Sequence, residues 1–260
     1  MTSNRRIFLG TAGLAAVSGG LRASGAAAER IRVGIVGVRG RGAELAGTFA
    51  KQKDAEIVAL CDIDDASFAK PLKVLDAAGA KAPRIEKDFR KLLDDKAIDA
   101  IIVATPDHWH ALVTVLACQA GKDVYCEKPA SHNVVEGRRM VEAARKYGRI
   151  VQLGTQRRST PHVKEAVEFV HSGQLGKVGL ARAWIHQKRK PIGHGTPGEP
   201  PKGVDFAMWQ GPAPDRPFIA NRFHYNWHCS GTGAPARWAT TASTASTSPD
   251  GASLSMPRFA

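Results

Sequence analysis

Cysteine is scarce in this chain, with four among 260 residues. The spacing of Cys61, Cys118, Cys126 and Cys229 fits neither a zinc ribbon nor a dense disulfide framework. We therefore expect free, partly buried thiols and no metal site.

Long apolar runs are also missing, so no mature segment is long enough to span a bilayer. Runs of basic residues are missing as well, although the formal net charge is +13. Because the lysines and arginines are scattered and no aromatic platforms accompany them, we expect no nucleic-acid partner. Hydrophobic residues make up 43% of the chain, which is typical of a globular protein with one large or two modest domains.

The first 28 residues have the pattern of an export signal. Arg5 and Arg6 precede a short apolar stretch of small residues, and the run from Gly25 to Ala28 is typical of a signal peptidase site. These features predict a twin-arginine signal over residues 1–28, with the twin-arginine export machinery as a partner. We therefore expect a periplasmic or otherwise exported protein.

Strand and helix patterns alternate through residues 29–155. Apolar runs predict strands at 31–36, 56–60, 98–104, 123–126 and 150–153. The stretches between them predict helices at about 43–51, 64–78, 88–93, 109–120 and 134–147. This alternation predicts an α/β domain built on a doubly wound parallel sheet.

A glycine-rich turn, Gly37-Val38-Arg39-Gly40-Arg41-Gly42, follows the first predicted strand. Its first and last glycines fit the dinucleotide-binding pattern G-x-G-x-x-G, whereas Arg39 replaces the middle glycine. Asp62 ends the second strand, where an acidic residue binds the ribose hydroxyls of NAD. We predict a Rossmann domain that binds NAD or NADP through Gly37, Val38, Arg39, Gly40, Arg41 and Asp62. Asp62 favours NAD, whereas Arg39 or Arg41 could meet the 2′-phosphate of NADP.

Two further motifs follow buried strands, at the sheet edge where ligands bind. The first runs from Thr105 to His110 and reads T-P-D-H-W-H, and the second is Glu127-Lys128-Pro129. We predict cofactor contacts from Thr105, Pro106, His110 and Glu127. Lys128 can donate to a substrate hydroxyl or carbonyl and assist its proton transfer. The alternative is a surface ion pair on a turn.

Together these motifs resemble those of the glucose–fructose oxidoreductase/inositol dehydrogenase (Gfo/Idh/MocA) family. Asn133 fits its E-K-P-x-x-x-N pattern, and the runs 151–158, 209–214 and 222–228 look like those of the exported branch. The resemblance implies hydride transfer between a nicotinamide and a sugar or polyol carbon. It implies that Lys128 is catalytic and contacts the substrate, with Asn133 and Gln156 as further substrate contacts. It also implies that the full-length form is a homo-oligomer.

Residues 156–228 are expected to begin a second domain. Their pattern predicts a helix over 162–171, a half-exposed strand over 178–186 and a long Gly- and Pro-rich loop over 191–221. By the resemblance, this is the start of an incomplete α+β domain built on an open, mostly antiparallel sheet.

Residues 229–260 are dominated by Ala, Thr, Ser, Gly and Pro, and they predict a disordered tail. We interpret this tail as read out of frame, the alternative being a natural low-complexity tail. The residues from Cys229 onward can be written as DNA with one choice of synonymous codons. When one base is added near the start of that DNA, it encodes W-F-W-D-W-G-T-G-A-L-G and then N-H-G-I-H. The family has a later D-x-x-x-H motif whose histidine is an acid/base, and no such motif follows residue 228.

We therefore expect a C-terminally truncated chain with impaired turnover. Two other functions stay open, because a fold alone does not decide between them. One is a glycosidase that uses bound NAD for a transient oxidation, and the other is a non-catalytic nucleotide-binding protein.

Overall fold

The computed structural model describes residues 30–182 and 191–229. The predicted leader and residues 230–260 of the predicted tail lie outside the described residues. None of the helices within the described ranges is long and apolar enough to cross a membrane.

Six parallel strands form one sheet in the order β3-β2-β1-β4-β5-β6. The strands are β1 Ile31–Val36, β2 Ala55–Cys61, β3 Arg84–Glu86, β4 Ala100–Val103, β5 Asp123–Glu127 and β6 Val151–Gly154. The chain builds outward from β1 to β3 and then crosses back to β4, so the winding direction reverses between β1 and β4. This confirms the predicted doubly wound Rossmann sheet, and the reversal marks the place where such sheets bind ligands.

The helices are α1 Arg41–Ala50, α2 Ala69–Ala77, α3 Arg90–Asp94, α4 His110–Gln119, α5 Val134–Lys146, α6 Pro161–His171 and α7 Phe206–Gln210. Residues of α1 to α5 pack on the two faces of the sheet, whereas α6 has no buried residue. Alternate residues of β4 enter different apolar clusters, because successive strand side chains point to opposite faces. Ile102 packs with residues of α1 and α2, whereas Ile101 and Val103 pack with residues of α3, α4 and α5. The core therefore has two layers, one on each side of the sheet.

The structure departs from the predicted elements in three places. Strand β3 was not predicted, because it has three residues and both Arg84 and Ile85 are exposed. Of the strand predicted over 178–186, residues 178–182 are exposed and pair with no strand of the described residues, and residues 183–186 lie outside the described ranges. The loop predicted over 191–221 contains α7, whose first turn is capped by the Asp205 carboxylate accepting from the Met208 N–H at 2.9 Å.

Residues 203–227, here called the docked segment, return to the carboxyl edge of the sheet. The Asp205 N–H donates to the Ile63 carbonyl at 3.0 Å, and the Asp65 N–H donates to the Gly203 carbonyl at 3.3 Å. His224 Nε2 lies 2.8 Å from Asp64 Oδ2. The docked segment is therefore joined to the loop that follows β2, beside the predicted nucleotide site.

Candidate active site

The glycine turn after β1 is tightly packed at both ends. Gly37 has a φ of 82°, and a Cβ there would lie 2.7 Å from the Thr105 backbone nitrogen. A Cβ on Gly42 would collide with the Gly37 carbonyl oxygen. Side chains are excluded at these two positions because the turn must pass close to the loop after β4 and to the start of α1. These two residues are the glycines that fit the first and last positions of the dinucleotide-binding pattern in the sequence.

The middle of the turn is open. A Cβ on Gly40 would meet no atom within 4 Å, and Gly40 stands at the N-terminus of α1. No side chain from the described residues caps this helix end. Arg39, which replaces the middle glycine, has a side chain that is 58% exposed and does not fill the turn. Uncapped amides at a helix start bind phosphate groups, so this geometry fits a pyrophosphate.

Asp62 follows β2 and faces the glycine turn. Its Oδ2 accepts from the Val38 N–H at 2.8 Å, and its Oδ1 accepts from the Asp64 N–H at 3.1 Å. Burial raises the pKa of the Asp62 carboxyl, although the two backbone amides oppose this shift. The carboxylate therefore lies beside the turn, and its remaining acceptor positions can receive the ribose hydroxyls of a dinucleotide.

Arg41 joins the glycine turn to the Glu127-Lys128-Pro129 motif. Its Nε donates to Glu127 Oε1 at 2.8 Å, and its Nη1 donates to Glu44 Oε2 at 3.0 Å. Burial lowers the pKa of Arg41, but the hydrogen bonds to Glu127 and Glu44 outweigh this and leave it raised. Because both of these bonds lie within the protein, the Arg41 guanidinium is committed to Glu127 and Glu44.

His110 is buried between the two motifs that end β4 and β5. Its Nδ1 lies 2.6 Å from the Pro129 carbonyl oxygen, and its Nε2 lies 2.9 Å from the Thr105 carbonyl oxygen. Burial lowers the pKa of His110, whereas the two carbonyl contacts oppose this. The ring thus fixes the spacing between the Thr105 and Pro129 loops. The predicted direct cofactor contacts of His110, Thr105 and Pro106 stay predictions.

Lys128 follows β5 and is half-buried, directly beyond the buried Glu127 carboxylate. The Lys128 N–H donates to Glu127 Oε2 at 3.3 Å. The two carboxylate oxygens of Glu127 therefore contact both the glycine turn and the backbone of the predicted catalytic lysine. The carboxyl ends of β1, β2, β4 and β5 bring the glycine turn, Asp62, Thr105 and Lys128 to one edge of the sheet.

The two other predicted substrate contacts differ in their surroundings. Asn133 caps α5, with its Oδ1 accepting from the Glu136 N–H at 2.9 Å and its Nδ2 donating to Glu136 Oε1 at 2.9 Å. Its amide is therefore occupied by a capping box, which the N-x-x-E spacing could have revealed. Gln156 is exposed at the start of the 3₁₀ turn Gln156–Ser159. Their roles toward a substrate stay predictions.

Sequence reasoning assigned no role to Asp107, which lies within the T-P-D-H-W-H motif. This carboxyl is 2% exposed, and burial raises its pKa to about 7. Its Oδ1 has no hydrogen-bond partner among the described residues. The available signal was an acidic residue in the motif that follows a buried strand.

The neighbouring side chains of the same motif hold the docked segment. His108 Nε2 lies 2.9 Å from the Trp209 carbonyl oxygen. Trp109 Nε1 donates to the Met208 carbonyl at 3.0 Å. No local sequence pattern indicates these contacts, because the partners are about a hundred residues apart. Within residues 30–182 and 191–229, no group of three or more potential metal-ligating side chains comes together.

A parallel Rossmann sheet with a glycine turn and an acidic residue after its second strand defines a dinucleotide-binding domain. Residues 31–155 match the family model GFO_IDH_MocA, described as the oxidoreductase family, NAD-binding Rossmann fold. Residues 31–155 are therefore similar to the Gfo/Idh/MocA oxidoreductase family, which supports the family predicted from the sequence motifs.

Several known proteins are similar to this chain. Inositol 2-dehydrogenase 2 of Saccharopolyspora erythraea is 31% identical over 183 residues, which is 70% of this chain and 50% of that protein. A glycosyl hydrolase family 109 protein of Stenotrophomonas maltophilia is 29% identical over 224 residues, which is 79% of this chain and 49% of that protein. The chain therefore spans about half the length of these two relatives.

Solved structures agree on the fold. Myo-inositol 2-dehydrogenase from Lactobacillus plantarum matches with a TM-score of 0.52 at 25% identity, over 58% of this chain and 43% of that one. Scyllo-inositol dehydrogenase from Lactobacillus casei, with bound NAD(H) and scyllo-inositol, matches with a TM-score of 0.51 at 25% identity. That match covers 57% of this chain and 43% of the other.

Proposed function

We propose that this chain carries the nucleotide-binding part of an NAD-dependent oxidoreductase that acts on a sugar or polyol. The observation that carries the proposal is the convergence of the glycine turn, Asp62 and Lys128 at one edge of the sheet. The inositol dehydrogenases among the similar proteins support a polyhydroxylated substrate.

The chain's own residues fit the dinucleotide. The open space at Gly40 and the uncapped start of α1 would hold the pyrophosphate. The Asp62 carboxylate would accept hydrogen bonds from the ribose hydroxyls. The nicotinamide, when bound, supplies a carbon that accepts or returns a hydride.

Lys128 is the residue proposed to handle the proton of the substrate hydroxyl. In its ammonium form, the lysine can donate a hydrogen bond to that oxygen. In its neutral amine form, it can accept the hydroxyl proton. The backbone N–H of Lys128 is held by Glu127, and Glu127 is held by Arg41. These two contacts would fix where the lysine emerges relative to the nucleotide turn.

NAD rather than NADP is the proposed cofactor. If the Asp62 carboxylate holds the ribose hydroxyls, it would repel a 2′-phosphate at the same position, because like charges repel. Arg41 is committed to Glu127 and Glu44, and Arg39 is largely in solvent with its Nη1 4.0 Å from Asp64 Oδ2. Each arginine therefore already has a carboxylate neighbour, which makes it a poor partner for the 2′-phosphate.

The test is a nucleotide and activity assay of the purified chain. Nucleotide retained after dialysis is released and identified, and reduction of NAD is followed with inositols, hexoses and other polyols. We expect impaired, slow turnover in the unmodified chain. In Lys128→Gln we expect this turnover to fall at least a hundredfold while nucleotide binding is kept, because general acid–base groups contribute about 10²–10⁴-fold. The control is Lys96→Gln, which changes an exposed lysine away from the site.

Three other outcomes would replace this proposal. Nucleotide binding without any turnover would favour a non-catalytic nucleotide-binding protein. Cleavage of a chromogenic glycoside with no net reduction of NAD would favour a glycosidase. Failure to bind either NAD or NADP would contradict the nucleotide site itself.

A further inference from the structure

The docked segment is fastened on both sides of the strand that carries the glycine turn. On one side, the Asp205 N–H donates to the carbonyl of Ile63 in the loop after β2. On the other side, Trp109 Nε1 in the turn after β4 donates to the Met208 carbonyl. Because β1 lies between β2 and β4 in the sheet, these two attachments flank β1. The docked segment is therefore placed to influence a nucleotide that binds at this edge.

A chain of three contacts leads from the docked segment to the glycine turn. His224 Nε2 lies 2.8 Å from Asp64 Oδ2. The Asp64 N–H donates to Asp62 Oδ1 at 3.1 Å, and Asp62 Oδ2 accepts from the Val38 N–H at 2.8 Å. Asp62 is the carboxylate proposed to bind the ribose hydroxyls, so His224 lies two contacts away from the ribose-binding group.

The Asp64 carboxylate is buried, and a donor lies at each of its oxygens. Its side chain is 9% exposed, and that of His224 is 14% exposed. Oδ1 accepts from the Ala66 N–H at 3.0 Å, which leaves Oδ2 to the imidazole. Since an ionised carboxylate can only accept, His224 Nε2 carries the proton and donates it. Arg39 is more distant, with its Nη1 4.0 Å from Oδ2, so removing the imidazole takes away the close donor of a buried oxygen.

We propose that His224 is a positioning residue of the nucleotide site and acts through Asp64 on Asp62. This inference rests on the proposed function, because it takes Asp62 as the residue that binds the ribose. While His224 holds Asp64, the Asp64 N–H stays directed at Asp62 Oδ1, and the ribose-binding carboxylate keeps one orientation. Nucleotide binding and the docking of residues 203–227 then stabilise each other, because coupling between two equilibria is reciprocal.

The first test is calorimetric titration of NAD into the 260-residue chain and its variants. We expect His224→Ala to weaken NAD binding about tenfold, a size typical of coupled sites. His224→Gln should recover most of the affinity, because its side-chain amide can still donate to Asp64. The control His162→Ala changes an exposed histidine of α6 and should leave NAD affinity unchanged.

A double-mutant cycle separates positioning from a general structural effect. If His224 acts through Asp62, His224→Ala should cause no further loss of NAD affinity in a chain that already carries Asp62→Ala. The same loss in both backgrounds would overturn the positioning role, as would NAD binding that His224→Ala leaves unchanged. Failure of the unmodified chain to bind NAD would instead contradict the nucleotide site of the proposed function.

Proteolysis of the unmodified chain tests the reciprocal effect and decides the question should His224→Ala fail to fold. Saturating NAD should slow cleavage within residues 203–227 about tenfold, because a ligand that binds the docked form lowers the population of the released form. Cleavage within the exposed residues 173–182 should keep its rate, since they lie outside the docked segment. Equal cleavage of residues 203–227 with and without bound NAD would overturn the coupling.

Discussion

Arg41 Nε donates to Glu127 Oε1 over 2.8 Å, joining the first turn of α1 to the last residue of β5. Glu127 is 4% exposed, and Arg41 is the cation that compensates its carboxylate. Removing one member of a buried ion pair leaves the other charge uncompensated. The contact therefore couples the shape of the glycine turn to the backbone from which Lys128 projects.

The first prediction concerns this ion pair. In Arg41→Gln, we expect the free energy of unfolding to fall by about 1–3 kcal/mol, less than for a fully buried pair because the Arg41 side chain is 32% exposed. Urea unfolding monitored by circular dichroism measures it. The control is Arg39→Gln, whose ion pair is longer and exposed, so its cost should stay below about 0.5 kcal/mol. Equal losses in the two variants would contradict the special role of Arg41.

Much of the first domain follows from local sequence, and the site follows only in part. Strands such as β1 and β4 are buried apolar runs, and Gly37 and Gly42 stand where no side chain fits. The edge strand β3 has no such signal, since it is short and exposed. The Arg41–Glu127 contact joins residues 86 positions apart, and no periodicity encodes such pairs. Local reasoning therefore finds the elements and misses the contacts that couple them.

A second prediction concerns Gly211, which lies against the indole of Trp109. Its φ is 52°, and a Cβ there would collide with the Trp109 ring. We expect Gly211→Ala to release the docked segment, because overpacking and backbone strain each cost about 1–3 kcal/mol. Limited proteolysis should then cut within residues 203–227. Gly198→Ala, where a Cβ would meet no atom within 4 Å, is the matched control and should resist cleavage like the unmodified chain.

A third prediction is a pH dependence of stability from Asp107. Burial raises the pKa of this carboxyl to about 7 in the folded chain, against about 3.9 when unfolded. The folded state therefore holds the proton more tightly than the unfolded state. The resulting contribution to the free energy of unfolding is complete below about pH 4 and is lost as the pH rises through 7. Asp107→Asn removes the titration.

The difference in unfolding free energy between Asp107→Asn and the unmodified chain isolates this group from His110 and other titrating residues. We expect the difference to grow in favour of the variant by about 2 kcal/mol between pH 5 and pH 8. The exposed Asp94→Asn should show no such growth. A difference that is flat over this range would mean that Asp107 is already ionised at pH 5.

The last prediction concerns cofactor choice at Asp62. Its carboxylate accepts from the Val38 and Asp64 amides, so Asp62→Asn keeps an acceptor oxygen for the turn while removing the charge. We expect NAD to bind at least tenfold more weakly, which corresponds to about 1.4 kcal/mol, because one good acceptor for the ribose hydroxyls is lost. NADP should bind more tightly than before, since its 2′-phosphate no longer meets a carboxylate. Calorimetric titration of both nucleotides measures the two changes together. If the affinities for NAD and NADP fall together, Asp62 only supports the glycine turn. If they change in opposite directions, Asp62 contacts the ribose and discriminates between the two nucleotides.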